Sequence, residues 1–473
     1  MKSATWNTAL MFLSAIGFVL LALIYYPWPE MIIVDAEVGK PLFPQYNANQ
    51  VWGIDVTRYD REKRTAERIR LVRRGEEWVV PARQEFVANQ TRLIGEVVNA
   101  LNDRTVYEVK SENQQDHIRY GVLDPGEFTE VKNVAALGTK LALIDRNNKV
   151  IADLIVGLAE KNGDGKHYVR VPGKPRIYTI EINPNILTTN FTHWISPDLL
   201  RLQPTGASQP RRVETIQLKN YRLGDDGNGK KIRRSIYTAT LAPLAERVEI
   251  RSLSVPAGDP PENWRTLQTT PQIESALMGI LQPLALFAID DVSRKSEPLR
   301  DAIAAAKEVS DSLQAGFEQL GFANARVESG AWEFDSANGQ IAVATNDGVV
   351  TNIWIGGAAG SSPTNPNKLN HFVLVRAAVN EGALKKPVRP PNLPDDDSEP
   401  NKAFLRKVES WSNEVRLAKR QADELNAVYD EWFYLLNADI VEQLRPDLPL
   451  PNLNDTPPDA QYNKPEKPST DSS

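Results

Sequence analysis

Stretches of this chain repeat each other in the same order, which restricts it to folds that two copies of one supersecondary unit can build. Glu67-Arg68-Ile69-Arg70-Leu71 is echoed by Glu246-Arg247-Val248-Glu249-Ile250, and each is followed by a lone tryptophan, Trp78 and Trp264. The later echoes are closer. Val150-Ile151-Ala152-Asp153-Leu154-Ile155-Val156-Gly157 answers Val349-Val350-Thr351-Asn352-Ile353-Trp354-Ile355-Gly356, and His167-Tyr168-Val169-Arg170-Val171 answers His371-Phe372-Val373-Leu374-Val375. A duplication of this kind describes a scaffold and carries no reaction by itself.

The local patterns within each copy predict an α+β fold. In the first, alternation around Ile69, Leu71 and Trp78 gives a hairpin turning at Arg74-Gly75, and Leu93, Ile94, Val97, Val98 and Leu101 recur at helical spacing. Strands follow at 141–144, 150–156, 168–171 and 177–182, separated by turns rich in Asn, Asp and Gly. The second copy keeps this order, with a strand at Val248 and Ile250 and a helix over 271–289. The offset between matched positions grows from 179 residues (67 to 246) to 199 (150 to 349), and the extra residues coincide with a second helical stretch over 297–320. Each unit is therefore expected to be a twisted antiparallel sheet with helices on one side. The divisions are 1–28, 29–203 for the first repeat with a lead-in strand, 204–382 for the second with its inserted helix, 383–400, 401–445 and 446–473.

Thr8 to Tyr26 is uncharged for about 19 residues, enough to cross a hydrocarbon core as a helix. Phe12, Ile16, Val19, Leu20 and Leu23 supply its apolar surface, and Tyr25, Tyr26 and Trp28 suit an aromatic belt. These bulky residues replace the small-residue site of a cleaved signal peptide, so the span reads as an uncleaved anchor. Lys2 before the span, and Glu30, Asp35 and Glu37 after it, favour an inside N-terminus with the bulk outside the cytoplasmic membrane. Membrane lipid is the partner this implies. A net charge of -6, without a basic stripe interleaved with aromatics, argues against nucleic acid. The absence of cysteine excludes disulfides and thiolate chemistry.

After Ala378 the chain becomes Pro-rich and then acidic at Asp395-Asp396-Asp397, a semi-rigid linker. Beyond it, Phe404, Val408, Trp411, Val415, Ala418, Ala422, Leu425, Tyr429, Trp432 and Leu436 keep a 4-3 spacing, which predicts one long helix with an apolar seam. That seam can dock on the chain's own repeats or pair with another subunit, including a second copy. Past Arg445 the composition is that of a disordered tail.

Motifs with chemical content are few. Gly224-Asp225-Asp226-Gly227-Asn228-Gly229-Lys230-Lys231 has the frame of a phosphate loop, but Lys231 stands where Ser or Thr should hold magnesium and Ile232 to Thr240 alternates like a strand. It reads as a hairpin turn. His167 and His371 occupy matched places, yet neither they nor His117 and His193 show metal-ligand spacing. Trp78 and Trp264 read as core anchors of their hairpins. No catalytic residue, cofactor or metal site is expected.

The residues nevertheless resemble a known family. Arg68-Ile69-Arg70-Leu71 leading to Glu77-Trp78, the turn Tyr120-Gly121-Val122-Leu123-Asp124-Pro125, Val156-Gly157, Gly339 to Val349, Ile355-Gly356, Leu425-Asn426 and Glu431-Trp432-Phe433-Tyr434 are similar to the domain of unknown function 4340 family. Val122 departs from that family's Tyr-Gly-Leu-Asp-x-Pro turn. The resemblance runs from anchor to helix and implies a membrane-anchored, duplicated extracytoplasmic domain encoded beside gliding-motility-type ABC transporter components. The function it implies is a non-catalytic accessory or scaffold subunit meeting the transporter's membrane subunits. The alternative is a binding protein that takes an envelope polysaccharide or peptide in the cleft between repeats.

Overall fold

The structure, a computed structural model, describes residues 36–450 apart from 128–133, 162, 164, 197, 203–209, 226–230, 245–246, 257–263, 286–288, 306–309, 327–331, 363–366 and 394–397. Nine strands come first: β1 (Gly53–Asp60), β2 (Thr65–Arg74), β3 (Glu77–Val80), β4 (Phe86–Ala88), β5 (Glu108–Ser111), β6 (Thr139–Ile144), β7 (Val150–Ala159), β8 (Lys166–Arg170) and β9 (Ile177–Glu181). They form one antiparallel sheet in the order β4-β3-β2-β1-β6-β7-β8-β9-β5. Then come β10 (Val213–Asp225), β11 (Lys231–Pro243), β12 (Val248–Pro256), β13 (Trp264–Thr266) and β14 (Ile289–Arg294). A small hairpin, β15 (Phe322–Arg326) and β16 (Trp332–Ser336), precedes β17 (Gln340–Thr345), β18 (Val349–Ser361), β19 (Leu369–Val379) and β20 (Trp432–Asn437). The second large sheet runs β13-β12-β11-β10-β17-β18-β19-β20-β14.

Strand for strand, the two orders are the same, so the duplication is real at the level of topology. Register fixes which residues correspond. Ile54 faces Leu71 and Leu143, just as Ile216 faces Leu241 and Val343. The first sequence echo is thereby corrected: Glu67 to Leu71 lies on β2, whose counterpart is β11, whereas Val248 to Ile250 lies on β12, the counterpart of β3. Half-exposed strands alternate charged and aliphatic residues wherever they occur, so the similarity reflects strand chemistry and not descent of one position from the other. Trp78 is half-buried on β3, but Trp264 sits on edge strand β13 at 45% exposure and anchors no core.

The later echoes hold in detail. On β7 the pairing Val156 with Val169 slips before Ala159 meets His167, and on β18 Ile355 with Val373 slips before Ala358 meets His371. The same irregularity carries a glycine each time. A Cβ on Gly157 would lie 2.4 Å from the Tyr120 carbonyl oxygen, and one on Gly356 would lie 2.5 Å from that of Leu320. Directly after those carbonyls, Gly121 (φ +70°) and Gly321 (φ +80°) end a helical turn in the left-handed region. In both repeats a glycine-ended turn thus rests on a glycine of the equivalent strand, β7 or β18.

The repeats differ by insertion. The offset is 183 residues between Val109 and Val292, which face Tyr178 and Tyr434, and 200 between Gly121 and Gly321. The helices Glu297–Ala304 and Asp311–Gln319 occupy that interval. With β15 and β16 they cover the outer face of the second sheet, where Leu299, Ile303, Phe317, Phe322, Phe334, Trp354, Leu374 and Phe433 form a separate core. On the first sheet the corresponding face carries only a small cluster of Val122, Ile155 and Ile177.

The larger insertion holds the long helix. In the first repeat β8 reaches β9 through a short turn at Pro172-Gly173, but between β19 and β20 the chain makes the 31-residue helix Glu399–Tyr429. One helix over 401–445 is therefore corrected: Trp432 and Leu436 lie on β20, and a second helix, Ala438–Leu444, follows. The 4-3 spacing ran on because a strand of period two also places residues 432 and 436 on one face. The start of the linker and the residues directly after the second helix touch the body, while most of the described linker is exposed. Leu384 accepts from Trp411 Nε1 at 2.9 Å, Pro446 accepts from Tyr237 OH at 2.9 Å, and Leu448 and Leu450 pack on the main core.

The inner faces of both sheets belong to one apolar cluster, which also takes in Ala418, Ala422, Leu425 and Tyr429 of the long helix. The repeats are tied by Tyr429 OH, which donates to the Leu199 carbonyl at 2.6 Å, and by Phe86 against Trp432 at 4.9 Å between ring centroids. Residues 8–26 and the tail from 451 lie outside the described residues. Among those described, no helix is long and apolar enough to cross a membrane.

The glycine contact makes a contrast that urea denaturation can read. Gly157→Ala is expected to lower stability by about 1–3 kcal/mol through overpacking. Gly95→Ala, in the helix Thr91–Val98 with nothing within 4 Å of a new Cβ, is expected to raise it by roughly 0.5–1 kcal/mol.

Candidate binding groove at the junction of the repeats

An open cleft lies where β1 turns into β2. Asp60 builds that turn: its Oδ1 accepts from the Glu62 and Lys63 backbone N–H groups at 2.8 and 3.0 Å. These bonds, the Lys63 amide foremost, hold its carboxyl below the usual carboxylate range. Lys63 then pairs with Glu67 across the turn. The opposite wall is the segment after β9, kept in shape by its own side chains. Asn190 Oδ1 accepts from Thr192 N at 3.0 Å, Thr188 Oγ1 lies 3.1 Å from His193 Nδ1, and the fully buried Trp194 donates Nε1–H to the Thr188 carbonyl at 3.1 Å.

Between these walls runs a cleft of about 650 Å³, continuous with a second of about 390 Å³ through Asp60, Glu62, Glu67, Thr189 and Asn190. The second part reaches Asp290, a buried carboxylate of the second repeat that accepts from Ser362 Oγ at 2.5 Å. The groove is thus shared by both repeats. Tyr59 and Phe191 are among its aromatics, aliphatic side chains such as Leu137, Val156 and Leu158 line part of it, and the remainder offers hydroxyls, amides and charges of both signs for hydrogen bonding an extended ligand. Among the described residues no set of three His, Cys, Asp or Glu lies together as a metal site.

The groove residues carry no sequence motif. They come from a charged turn, a Thr-Thr-Asn stretch and a single Asp more than 200 residues from the turn, and only folding joins them. The residues singled out from sequence lie elsewhere. His167 and His371 are matched at the register slips, each with Nδ1 near a backbone oxygen, Gly165 at 3.3 Å and Gly356 at 3.4 Å. Burial pushes the His371 imidazole below its ordinary value. His117 is buried with Nε2 2.8 Å from the Pro175 carbonyl. The strands β10 and β11 pair as a hairpin on either side of 226–230, which is the arrangement expected of a turn and not of a phosphate loop. The anchor residues Phe12, Ile16, Val19, Leu20, Leu23, Tyr25, Tyr26 and Trp28 fall outside the described residues.

The proposed seam divides. Leu425 and Tyr429 are buried against the chain's own core, as are Trp432 and Leu436 on β20. Phe404, Val408, Trp411 and Val415 are half-buried, with Arg389 5.6 Å from the Phe404 ring centroid and Lys386 5.8 Å from that of Trp411. Docking in cis accounts for the C-terminal part of the seam.

A buried cation lies beside the repeat junction. Lys295 follows β14, donates from Nζ to the Tyr429 carbonyl at 2.8 Å and stands 5.2 Å from the Phe433 ring centroid. Burial lowers its pKa to about 7, against the opposing pull of Asp430, while nearby Arg376 adds to the lowering. Burial also raises the Asp430 carboxyl. Above pH 7 the folded chain sheds a proton that the unfolded lysine keeps until near 10.5, so the unfolded state binds more protons and stability rises with pH. The urea midpoint is expected to rise between pH 7 and 9, and Lys295→Met is expected to flatten that rise.

Residues 78–306 match the family model described as "Domain of unknown function (DUF4340)". The matched span runs from β3 past β14, narrower than the likeness from anchor to helix expected from the sequence, and it crosses the junction between the repeats. No curated protein and no solved structure matches the chain.

Proposed function

We propose that this chain, whose residues 78–306 belong to the DUF4340 family, is a non-catalytic scaffold subunit of an ABC-type, gliding-motility-like transport complex. In this reading it stands outside the cytoplasmic membrane on the span Thr8 to Tyr26, with the N-terminus inside. The observation that carries it is the shared core: two nine-stranded sheets packed through one apolar cluster present a single rigid surface, as an accessory platform requires. The uncharged span and the family resemblance support the membrane and transporter parts. The half-buried stretch Phe404 to Val415, with Leu405 and Leu417 exposed beside it, is the surface we assign to a partner helix or to a second copy.

A second reading, capture of an envelope polysaccharide or peptide, is favoured by the polar groove that reaches Asp290 from the first repeat. The groove is open and mostly polar, which suits transient contact with an extended chain better than enclosure of a small molecule.

Purification of the full chain in mild detergent is expected to recover transporter membrane subunits with it, and recovery of this protein alone would overturn the scaffold reading. A reporter fused after Ser473 is expected to be active only outside the cytoplasm. Activity only inside would overturn the orientation.

A further inference from the structure

At the other end of β1 from the groove lies a pocket of about 590 Å³ into which four arginines converge: Arg70, Arg73 and Arg74 from β2 and Arg146 from the β6–β7 turn. Backbone bonds build its floor. Trp52 N donates to the Ile144 carbonyl at 2.7 Å and Arg73 N to the Trp52 carbonyl at 2.9 Å, fixing the indole between the two strand ends. The Arg146 and Arg73 guanidinium carbons stand 4.9 and 5.7 Å from the Trp52 ring centroid, so the ring gathers both cations. Asn148 Oδ1 accepts from Arg70 Nη2 at 2.7 Å, while Arg70 Nε is buried without a hydrogen-bond partner.

Three carboxylates stand near the four arginines, but among the described residues neither Arg70 nor Arg146 is ion-paired with one. Asp145 Oδ1 is taken up in its own turn, accepting from Asn147 N and Lys149 N at 2.8 Å each. Glu76 and Glu85 pair with Arg73 and Arg74 from the rim, and the Glu76 side chain is 93% exposed, so both are weakly held and displaceable. In a chain of net charge -6, such a concentration needs a cause.

The second repeat shows that the fold is not that cause. By strand register Arg70 and Arg73 correspond to Thr240 and Pro243, and counting on past the paired residues sets Arg74 against Leu244 and Arg146 against Asn346. None of these is basic, yet the second sheet has the same order and pairing. The arginines are an addition to the scaffold.

We propose that this pocket binds a ligand bearing a phosphomonoester or diphosphate group. Guanidinium forks match phosphate oxygens in pairs of hydrogen bonds, and a group carrying two or more charges is what several permanently charged arginines require. A soluble phosphorylated molecule and an anionic lipid headgroup share this chemistry.

Titration calorimetry on the detergent-solubilised full chain at low salt tests the assignment with inorganic pyrophosphate, orthophosphate and dihexanoyl phosphatidic acid, and dihexanoyl phosphatidylcholine as the neutral control. Saturable binding is expected, tighter for pyrophosphate than for orthophosphate. Tighter binding of the short-chain phosphatidic acid than of orthophosphate would identify the headgroup as the source, and equal or weaker binding a soluble molecule. Arg146→Glu, an exposed change, is expected to weaken pyrophosphate about tenfold or more, while Arg251→Gln on β12 leaves it unchanged. The double variant Arg73→Gln, Arg146→Gln should abolish the heat, its fold checked by its urea midpoint. No saturable heat with any of these anions, or equal affinity in wild type and Arg146→Glu, would overturn the proposal.

Discussion

The second sheet cannot close until the chain returns from the long helix. β20 fits between β19 and β14, pairing with both, so two ladders of backbone hydrogen bonds depend on six residues, Trp432 to Asn437. Its side chains face three ways. Tyr434 and Leu436 enter the core shared by both repeats, Phe433 stacks 5.6 Å from Phe322 in the outer core, and Trp432 meets Phe86 of the first repeat. In the first repeat the equivalent strand β9 is one short turn away from its partner. The second repeat has accepted an excursion of about fifty residues at that turn, a tolerable cost because closure entropy grows only slowly with loop length. The helix in the excursion returns the outlay by packing Ala418, Ala422, Leu425 and Tyr429 on the sheet it interrupts.

Where sequence and structure agree, sterics left little choice. Gly157 and Gly356 are legible as equivalents because each must let a backbone carbonyl approach closer than any Cβ allows, and the register slip beside each fixes the matching histidine. Where they differ, one pattern served two structures. Alternating charged and aliphatic residues describe β2 and β12 equally well, and apolar residues four apart describe a helix seam and one face of β20. The groove and the arginine pocket were not legible at all. Arg70, Arg73 and Arg74 stand within five residues, but on an alternating strand they read as an ordinary solvated face, and only the β1–β2–β6 register brings Arg146 to the same end of the sheet. Asp290 reaches the groove only because the two repeats share a core.

The two copies have diverged in complementary directions. The second has gained cover: paired helices and a hairpin over its outer face, a long helix against its inner core, and a tail that docks as far as Leu450. Among the described residues, the outer face of the first has the smaller apolar cluster and is more polar. There Arg68 Nε bonds Asp55 at 2.7 and 2.9 Å, Lys140 bonds the buried Asp124 at 2.7 Å, and burial raises the neighbouring Asp153 carboxyl. A sheet face that spends its charge on internal pairs resists aggregation without presenting a ligand site.

That division decides where function can sit. A ligand or partner needs side chains free to exchange water for new contacts, and the buried surfaces of the second repeat have already made that exchange internally. The first repeat still holds its polar groups at both ends of β1, hydroxyls and charges of both signs at Asp60, arginines at Trp52. β1 is an interior strand of its sheet, with β2, β3 and β4 on one side and β6, β7, β8, β9 and β5 on the other, so both of its ends are held by paired neighbours. The two sites lie at opposite ends of one strand and share no lining residue, so each can be occupied without displacing the other's side chains.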